Sequence, residues 1–123
     1  MTLDDLNDQV RKALGAHAEW KMKLKRAAAK GSLEVPAADV KRDDLCTFGK
    51  WLKDIADDPD VKGTEGFESV RAKHAAFHAA AGDVAAKIEA GHTDAASAAL
   101  NGDAYTGASE QLASALYEWK ASA

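Results

Sequence analysis

Residues 67–88 read FESVRAKHAAFHAAAGDVAAKI and carry the most regular pattern in the chain. The positions expected to face a core are spaced three and four residues apart throughout: Phe67, Val70, His74, Phe77, Ala81, Val84 and Ile88. This spacing matches the period of an α-helix with one buried face. Thr64 stands before the pattern as an N-cap residue, and Gly91 stands after it as a terminator. The stretch therefore predicts a long helix packed against other helices.

Within this helix, His74 and His78 form an HxxxH pair. Side chains four residues apart lie above one another on one helix face, with Cβ atoms roughly 5–6 Å apart, so both imidazoles can reach one metal ion. The same spacing also arises by chance in alanine-rich helices, where the rings pack or face water. The pair therefore indicates a candidate metal site whose other ligands must come from elsewhere in the chain.

A first helix is predicted from Leu3 to about Ala29, where apolar positions again recur at helical spacing. Lys30 and Gly31 suit its C-terminus. His17 falls on the buried stripe of this helix, either as a core histidine bonded to a carbonyl oxygen or as a metal ligand. The residues alone leave both roles open.

Two more helical regions complete the chain. The second helix is predicted to start between Asp39 and Asp44, with either aspartate as its N-cap, and to end near Ile55. The fourth region starts at Thr93, and the triplet Asn101-Gly102-Asp103 is expected to bend or break it. The later connections are short, which favours antiparallel neighbours.

The composition supports an all-α fold. The chain has 123 residues, of which 46% are apolar and only two are proline. Such a chain is long enough for one core, and its many alanines favour helices that pack closely through small side chains. We therefore predict a single domain over residues 1–123, an antiparallel four-helix bundle with a metal site in its core.

Charge and hydropathy argue against two kinds of partner. The formal net charge is -4 and basic residues are interleaved with acidic ones, so no basic stripe is expected to bind a phosphate backbone. No apolar run approaches the roughly 18 residues of a transmembrane helix, and the amino end is acidic and lacks the apolar segment of a signal peptide. The sequence thus predicts no nucleic-acid binding, no membrane insertion and a cytoplasmic location.

Distances along the helices indicate which residues can join the histidine pair. With about 1.5 Å per helical residue, Cys46 and His74 each lie roughly 15 Å from the loop between their helices, and hence at one height. His92 lies roughly 20 Å beyond His78, at the end of the bundle, and is expected on the surface. Cys46 is the single cysteine, so its open roles are buried packing, a nucleophile or a metal ligand.

Three glycines stand close to the candidate ligands: Gly15, Gly49 and Gly82. A glycine in a helix interior costs roughly 1 kcal/mol relative to alanine, and at Gly49 something should offset that cost. For Gly49, we expect a neighbouring helix to come near enough for the Cys46 sulfur to reach a shared metal. The alternative is a small residue fitted against Trp20 or Trp51.

Three blocks of sequence, in order, resemble one known family. They are His17-Ala18-Glu19-Trp20, Cys46-Thr47-Phe48-Gly49-Lys50-Trp51-Leu52 and His74-Ala75-Ala76-Phe77-His78. The blocks are similar to the HxxW, Cys-x-apolar-Gly-x-Trp-Leu and HxxxH patterns of the chemoreceptor zinc-binding (CZB) domain. Each block is weak alone, but their ordered combination is specific, and the resemblance extends from about Val10 to Trp119.

The resemblance implies a function as well as a fold. It implies that His17, Cys46, His74 and His78 bind one Zn²⁺ per chain in a four-helix bundle that forms a homodimer. It further implies a regulatory domain in bacterial signalling that senses zinc, and hypochlorous acid through its zinc-bound cysteine. The signal would pass to a chemoreceptor, a diguanylate cyclase or another partner, either separate or fused. The alternative is a zinc-stabilised dimerisation module without a sensing role.

The ligand set argues against catalysis. Three imidazoles and one thiolate fill all four positions of a tetrahedral zinc site, whereas a catalytic zinc keeps one position for water. Ala75 also stands where the helix of a zinc protease carries its glutamate. We therefore expect no enzymatic activity. Iron is disfavoured because the thiolate suits zinc better than a carboxylate-bridged iron pair.

The fourth helical region supplies no ligand but passes near the expected height of the metal. Asp103 or Tyr105 is therefore a candidate to hydrogen-bond a ligand histidine and hold its ring. The alternative is that this part of the chain is a plain surface kink.

Overall fold

The structure is a computed structural model, and it describes residues 2–122. The helices are α1 (Leu3–Lys30), α2 (Ala37–Val40), α3 (Thr47–Ile55), α4 (Glu65–Glu89), α5 (Thr93–Leu100) and α6 (Asp103–Ser122). Met1 and Ala123, the two ends of the predicted domain, lie outside the described residues. Across residues 2–122, no helix combines the length and apolar character needed to span a bilayer.

The helices form the predicted antiparallel four-helix bundle. α1 and α4 run in one direction, while α2 with α3, and α5 with α6, form the two returning arms. At one end, the Ala37 backbone N–H donates to the Glu89 carboxylate at 2.7 Å, so α2 starts where α4 ends. At the other end, the Trp119 ring of α6 lies over Gly66 at the start of α4. α4 packs against α1, α2, α5 and α6, and is the centre of the fold.

The core follows the helical stripes of the sequence. Every inward position predicted for the long helix is buried, and Phe77, Ala81 and Val70 have no exposed area. Three histidines are buried among these apolar side chains, namely His17, His74 and His78. The bundle therefore encloses polar groups at one level of an otherwise apolar core.

The fourth region is broken where its sequence predicts. α5 ends at Leu100 and α6 begins at Asp103. Between them, the Asn101 side-chain amide donates to the Ser97 carbonyl at 3.0 Å, which satisfies a terminal carbonyl of α5. Both α5 and α6 pack against α4, so the break leaves both parts of this arm in contact with that helix.

The start of the second helix differs from the prediction. α3 begins at Thr47, and its N-cap is Cys46, whose sulfur accepts from the Gly49 N–H at 3.3 Å. Neither Asp39 nor Asp44 caps it: Asp39 lies inside the short α2, and Asp44 pairs with Arg42 at the surface. The usual N-cap residues are Ser, Thr, Asp and Asn, so a cysteine in this position gives no capping signal in the sequence.

The residues from 37 to 46, called here the connecting segment, cross α4 closely. A Cβ on Gly82 would lie 2.9 Å from the Lys41 Cα and 2.8 Å from its Cβ. Gly82 thus permits this approach. At Gly15, by contrast, no atom of residues 2–122 outside its own helical turn lies within 4 Å of the site of its Cβ. At Gly49 the close neighbour is the Asp43 carbonyl of the connecting segment and not another helix.

Gly82→Ala should destabilise the protein, whereas Gly15→Ala should stabilise it. Overpacking against the Lys41 backbone costs about 1–3 kcal/mol, which the better helix propensity of alanine offsets by about 1 kcal/mol. At Gly15 the propensity gain stands alone. Urea unfolding of the two variants measures the difference. Equal changes in the two free energies of unfolding would show that the connecting segment does not rest on Gly82.

Candidate metal centre

Four potential ligand atoms meet in the core, one from each of His17, Cys46, His74 and His78, and all lie within 4.8 Å of one another. α1 supplies the first, the N-cap of α3 the second, and α4 the remaining two. The expected common height of Cys46 and His74 is confirmed, since their Sγ and Nε2 atoms are 3.3 Å apart.

Backbone carbonyls orient two of the imidazoles. His17 Nδ1 lies 2.6 Å from the Ala13 carbonyl oxygen, one turn earlier in α1. His78 Nδ1 lies 2.9 Å from the Val40 carbonyl oxygen of the connecting segment. A carbonyl oxygen only accepts, so Nδ1 carries the proton in both rings and Nε2 presents a lone pair. This is the arrangement in which a histidine binds a metal through Nε2.

His74 and Cys46 complete the cluster. His74 Nε2 lies 3.1 Å from His17 Nε2 and 3.3 Å from Cys46 Sγ. The Cys46 sulfur also accepts from the Gly49 N–H, so the thiol is fixed by the first turn of α3. Phe48 and Phe77 pack edge-on against the His17 ring and close the site with apolar walls.

Burial keeps the imidazoles neutral. It lowers the pKa of His17 to about 4, although the bond to Ala13 opposes the change. It lowers the pKa of His74 to about 3, with His78 and His17 adding to the effect, and it also lowers the pKa of His78. Burial raises the pKa of the Cys46 thiol. Near pH 7 the free site therefore holds three neutral imidazoles and a protonated thiol.

The geometry fits a tetrahedral zinc ion. His78 Nε2 is a buried atom without a hydrogen-bond partner among residues 2–122, although buried polar atoms nearly always have one. Zinc–nitrogen bonds of about 2.0–2.1 Å place two nitrogen ligands about 3.3 Å apart, close to the 3.1 Å between His17 and His74. All pairs of donor atoms lie within 4.8 Å, so a movement of at most about 1.5 Å at the widest pair would suit one ion bound by all four groups.

The metal-free protein should lose stability as the pH falls from about 6.5 toward 4. The folded state depresses the pKa of His17 to about 4 and of His74 to about 3. Below 6.5 the unfolded chain therefore binds protons that the folded chain does not, and stability falls by about 1.4 kcal/mol per pH unit for each such histidine.

Urea unfolding in the presence of a chelator, at several values between pH 7.5 and 4.5, measures this slope. His74→Ala should reduce the slope, and the exposed His92 provides a control, His92→Ala, that should not. A slope unaffected by His74→Ala would contradict the assignment.

The structure does not bring Asp103 or Tyr105 to a ligand histidine. Asp103 is exposed at the start of α6, and among residues 2–122 no hydrogen bond joins it to a histidine. Tyr105 is buried, but its hydroxyl has no hydrogen-bond partner in the part of the chain that the structure describes. Its ring packs on Phe77 at 5.6 Å, and it is Phe77 that contacts His17. Burial raises the pKa of Tyr105 to about 12, so the hydroxyl stays protonated. His92 is exposed at the bundle end, as expected.

Two groups that position the site were not predicted from the sequence. The Val40 carbonyl holds His78, and the Glu89 carboxylate caps the N-terminus of α2, the short helix that carries Val40. A backbone carbonyl leaves no residue signal. Glu89 is 52 residues from the Ala37 N–H that it binds, too far for any local pattern to link them.

Comparison with known proteins agrees with this geometry. A family model described as the chemoreceptor zinc-binding domain matches residues 17–85, which is more than half of the chain and includes all four donor residues. Searches of curated proteins and of solved structures find no match. The chain therefore belongs to the chemoreceptor zinc-binding domain family, whose members are associated with chemoreceptor signalling.

Proposed function

We propose that this protein is a zinc-binding sensory domain of bacterial signalling, with one Zn²⁺ per chain bound by His17, Cys46, His74 and His78. The observation that carries the proposal is the convergence of these four donors within 4.8 Å at one level of the core. Family membership supports zinc as the metal. The mixed imidazole and thiolate set also suits zinc better than the oxygen-seeking cations.

Zinc would supply positive charge that deprotonates the thiol and holds all four groups together. Other residues of the chain orient the four groups for metal binding. The Ala13 and Val40 carbonyls fix the His17 and His78 rings with Nε2 facing inward. Cys46 is the N-cap of α3, so the same sulfur serves the metal site and the helix N-terminus.

This double role of Cys46 supports oxidant sensing. The thiolate sulfur attacks the chlorine of hypochlorous acid, forming an S–Cl bond and releasing hydroxide. Water then displaces chloride and leaves a sulfenic acid, a poorer zinc ligand. Among the described residues no second cysteine can trap it as a disulfide. Oxidation or metal loss frees Cys46, loosens the start of α3 and changes a dimer or partner surface.

The remaining parts of the proposal follow from the family and the closed ligand set. We propose that the protein is not an enzyme, because four protein ligands leave no position for a reacting water. We further propose a cytoplasmic homodimer that acts on a chemoreceptor, a diguanylate cyclase or another signalling partner, separate or fused. The second candidate function is a dimerisation module in which zinc only stabilises the fold.

Metal analysis of protein purified without added zinc tests the proposal. The expected result is one zinc per chain, retained in His92→Ala and lost in Cys46→Ala. Competition with a chelator then gives the affinity. No zinc, or full zinc content in Cys46→Ala, would contradict the assignment.

Hydrogen exchange separates the two candidate functions. In a sensor, hypochlorous acid should release zinc and speed exchange of the α3 amides, including the Gly49 N–H that donates to Cys46. Cys46→Ala should show no such response. A site that keeps its zinc and its α3 protection under oxidant would favour the structural module.

A further inference from the structure

A second cleft lies apart from the four donor residues, between the C-terminal half of α1 and residues 32–35 of the loop that follows. Its volume is about 200 Å³. Apolar side chains form its floor, with Leu24 and Ala27 buried and Trp20 and Leu33 half-buried. None of the four donor residues lines this cleft. Trp20 lies between the cleft and the metal centre, with its ring edge-on to His78 at a centroid distance of 6.3 Å.

Three cations line the cleft from a single helix. Lys23, Arg26 and Lys30 are three and four residues apart, so they lie on one face of the last two turns of α1. Between residues 2 and 122, no ion pair or side-chain hydrogen bond joins any of these three cations to another residue, and Lys23 lies over the Trp20 ring at 5.1 Å. Glu34 is the one carboxylate among the lining residues.

This concentration of positive charge is unusual for the chain. Residues 21–30 contain five cations, Lys21, Lys23, Lys25, Arg26 and Lys30, and no carboxylate, in a protein of formal net charge -4. The expected interleaving of basic and acidic residues fails here. Cations suit a helix C-terminus, but that effect reaches only the last turn and does not explain Lys23 beside an indole.

We propose that this cleft binds a small organic anion, with an apolar ring on the Trp20, Leu24 and Leu33 floor and a carboxylate among Lys23, Arg26 and Lys30. The size agrees, because a cavity of roughly 150 Å³ holds one benzene ring. The apolar floor disfavours a bare inorganic anion, and the unpaired cations disfavour a neutral ligand. A cleft of this volume is also too small for a helix of a partner protein.

Nuclear magnetic resonance titration of the full chain with 2-naphthoate tests the proposal. The expected result is saturable binding that shifts the Trp20 indole N–H and the amides of residues 23–35. The neutral analogue 2-naphthamide should bind at least tenfold more weakly, and inorganic phosphate should shift none of these signals. Arg26→Gln with Lys30→Gln should weaken naphthoate binding at least tenfold.

The matched control removes two exposed cations at the opposite end of the bundle, through Lys62→Gln with Lys120→Gln, and should leave naphthoate binding unchanged. Four outcomes would overturn the proposal. They are no saturable binding, equal affinity for the amide, phosphate binding as strong as naphthoate binding, and equal weakening in both double variants. None of these ligands or substitutions alters the four donor residues. Zinc content therefore reports separately on the proposed metal function.

Discussion

The His74→Ala variant should bind zinc about 10²–10³ times more weakly than the wild type. Structural zinc sites of four ligands bind with about 10–16 kcal/mol, so an even share is about 2.5–4 kcal/mol for each ligand. His74 is the donor closest to its neighbours, with Nε2 at 3.1 Å from His17 and 3.3 Å from Cys46. Alanine there leaves three ligands and a buried void.

Competition against a chelator of known affinity measures this loss, with His92→Ala as the control. His92 is exposed, and its side chain makes no capping hydrogen bond to α5, so its removal should change neither the affinity nor the fold. Unchanged affinity in His74→Ala would mean that zinc binds elsewhere in the chain.

The Gly49→Ala variant should lose about 3 kcal/mol or more of unfolding free energy. The added Cβ would lie 1.7 Å from the Asp43 carbonyl oxygen and 2.8 Å from its carbon. Both are backbone atoms, so relief requires movement of the connecting segment or of the first turn of α3, and overpacking of this kind is at the upper end of measured costs. Zinc affinity should fall as well, because the displaced turn carries Cys46.

Gly107→Ala is the matched control, since Gly107 lies inside α6 and, within the described part of the chain, no atom beyond its own helical turn is within 4 Å of the site of its Cβ. There alanine should stabilise the protein by about 0.5–1 kcal/mol. Chemical unfolding and zinc competition of both variants test the pair. If Gly49→Ala proved as stable as Gly107→Ala, the fold around Cys46 would differ from the one described.

The sequence predicted the features that depend on local periodicity. The stripe from Phe67 to Ile88 specifies α4, and its pair of histidines four residues apart lies on one face because helix geometry requires it. The height of Cys46 was predicted from counting residues on antiparallel helices, which needs only the helical rise. Helical periodicity places His17 on a buried stripe, but only the family resemblance predicts that it is a metal ligand.

Features that depend on distant contacts were missed. α2 is a single turn after Pro36, and its N-terminus is capped by Glu89 from another helix, so nothing local specifies it. The N-cap role of Cys46 was missed because cysteine is not a usual capping residue. Tyr105 is predicted near a ligand histidine only from its height along the bundle. Height does not show which side chain lies between two residues, and here the Phe77 ring lies between Tyr105 and His17.

X-ray absorption spectroscopy at the zinc edge of the loaded protein tests the four-ligand site. We predict three nitrogen neighbours at about 2.0–2.1 Å and one sulfur neighbour at about 2.3 Å, with imidazole scattering from the nitrogen ligands. In Cys46→Ala protein supplied with zinc, the sulfur shell should disappear. A wild-type spectrum with no sulfur neighbour, or with two, would contradict a site built from His17, Cys46, His74 and His78 of one chain.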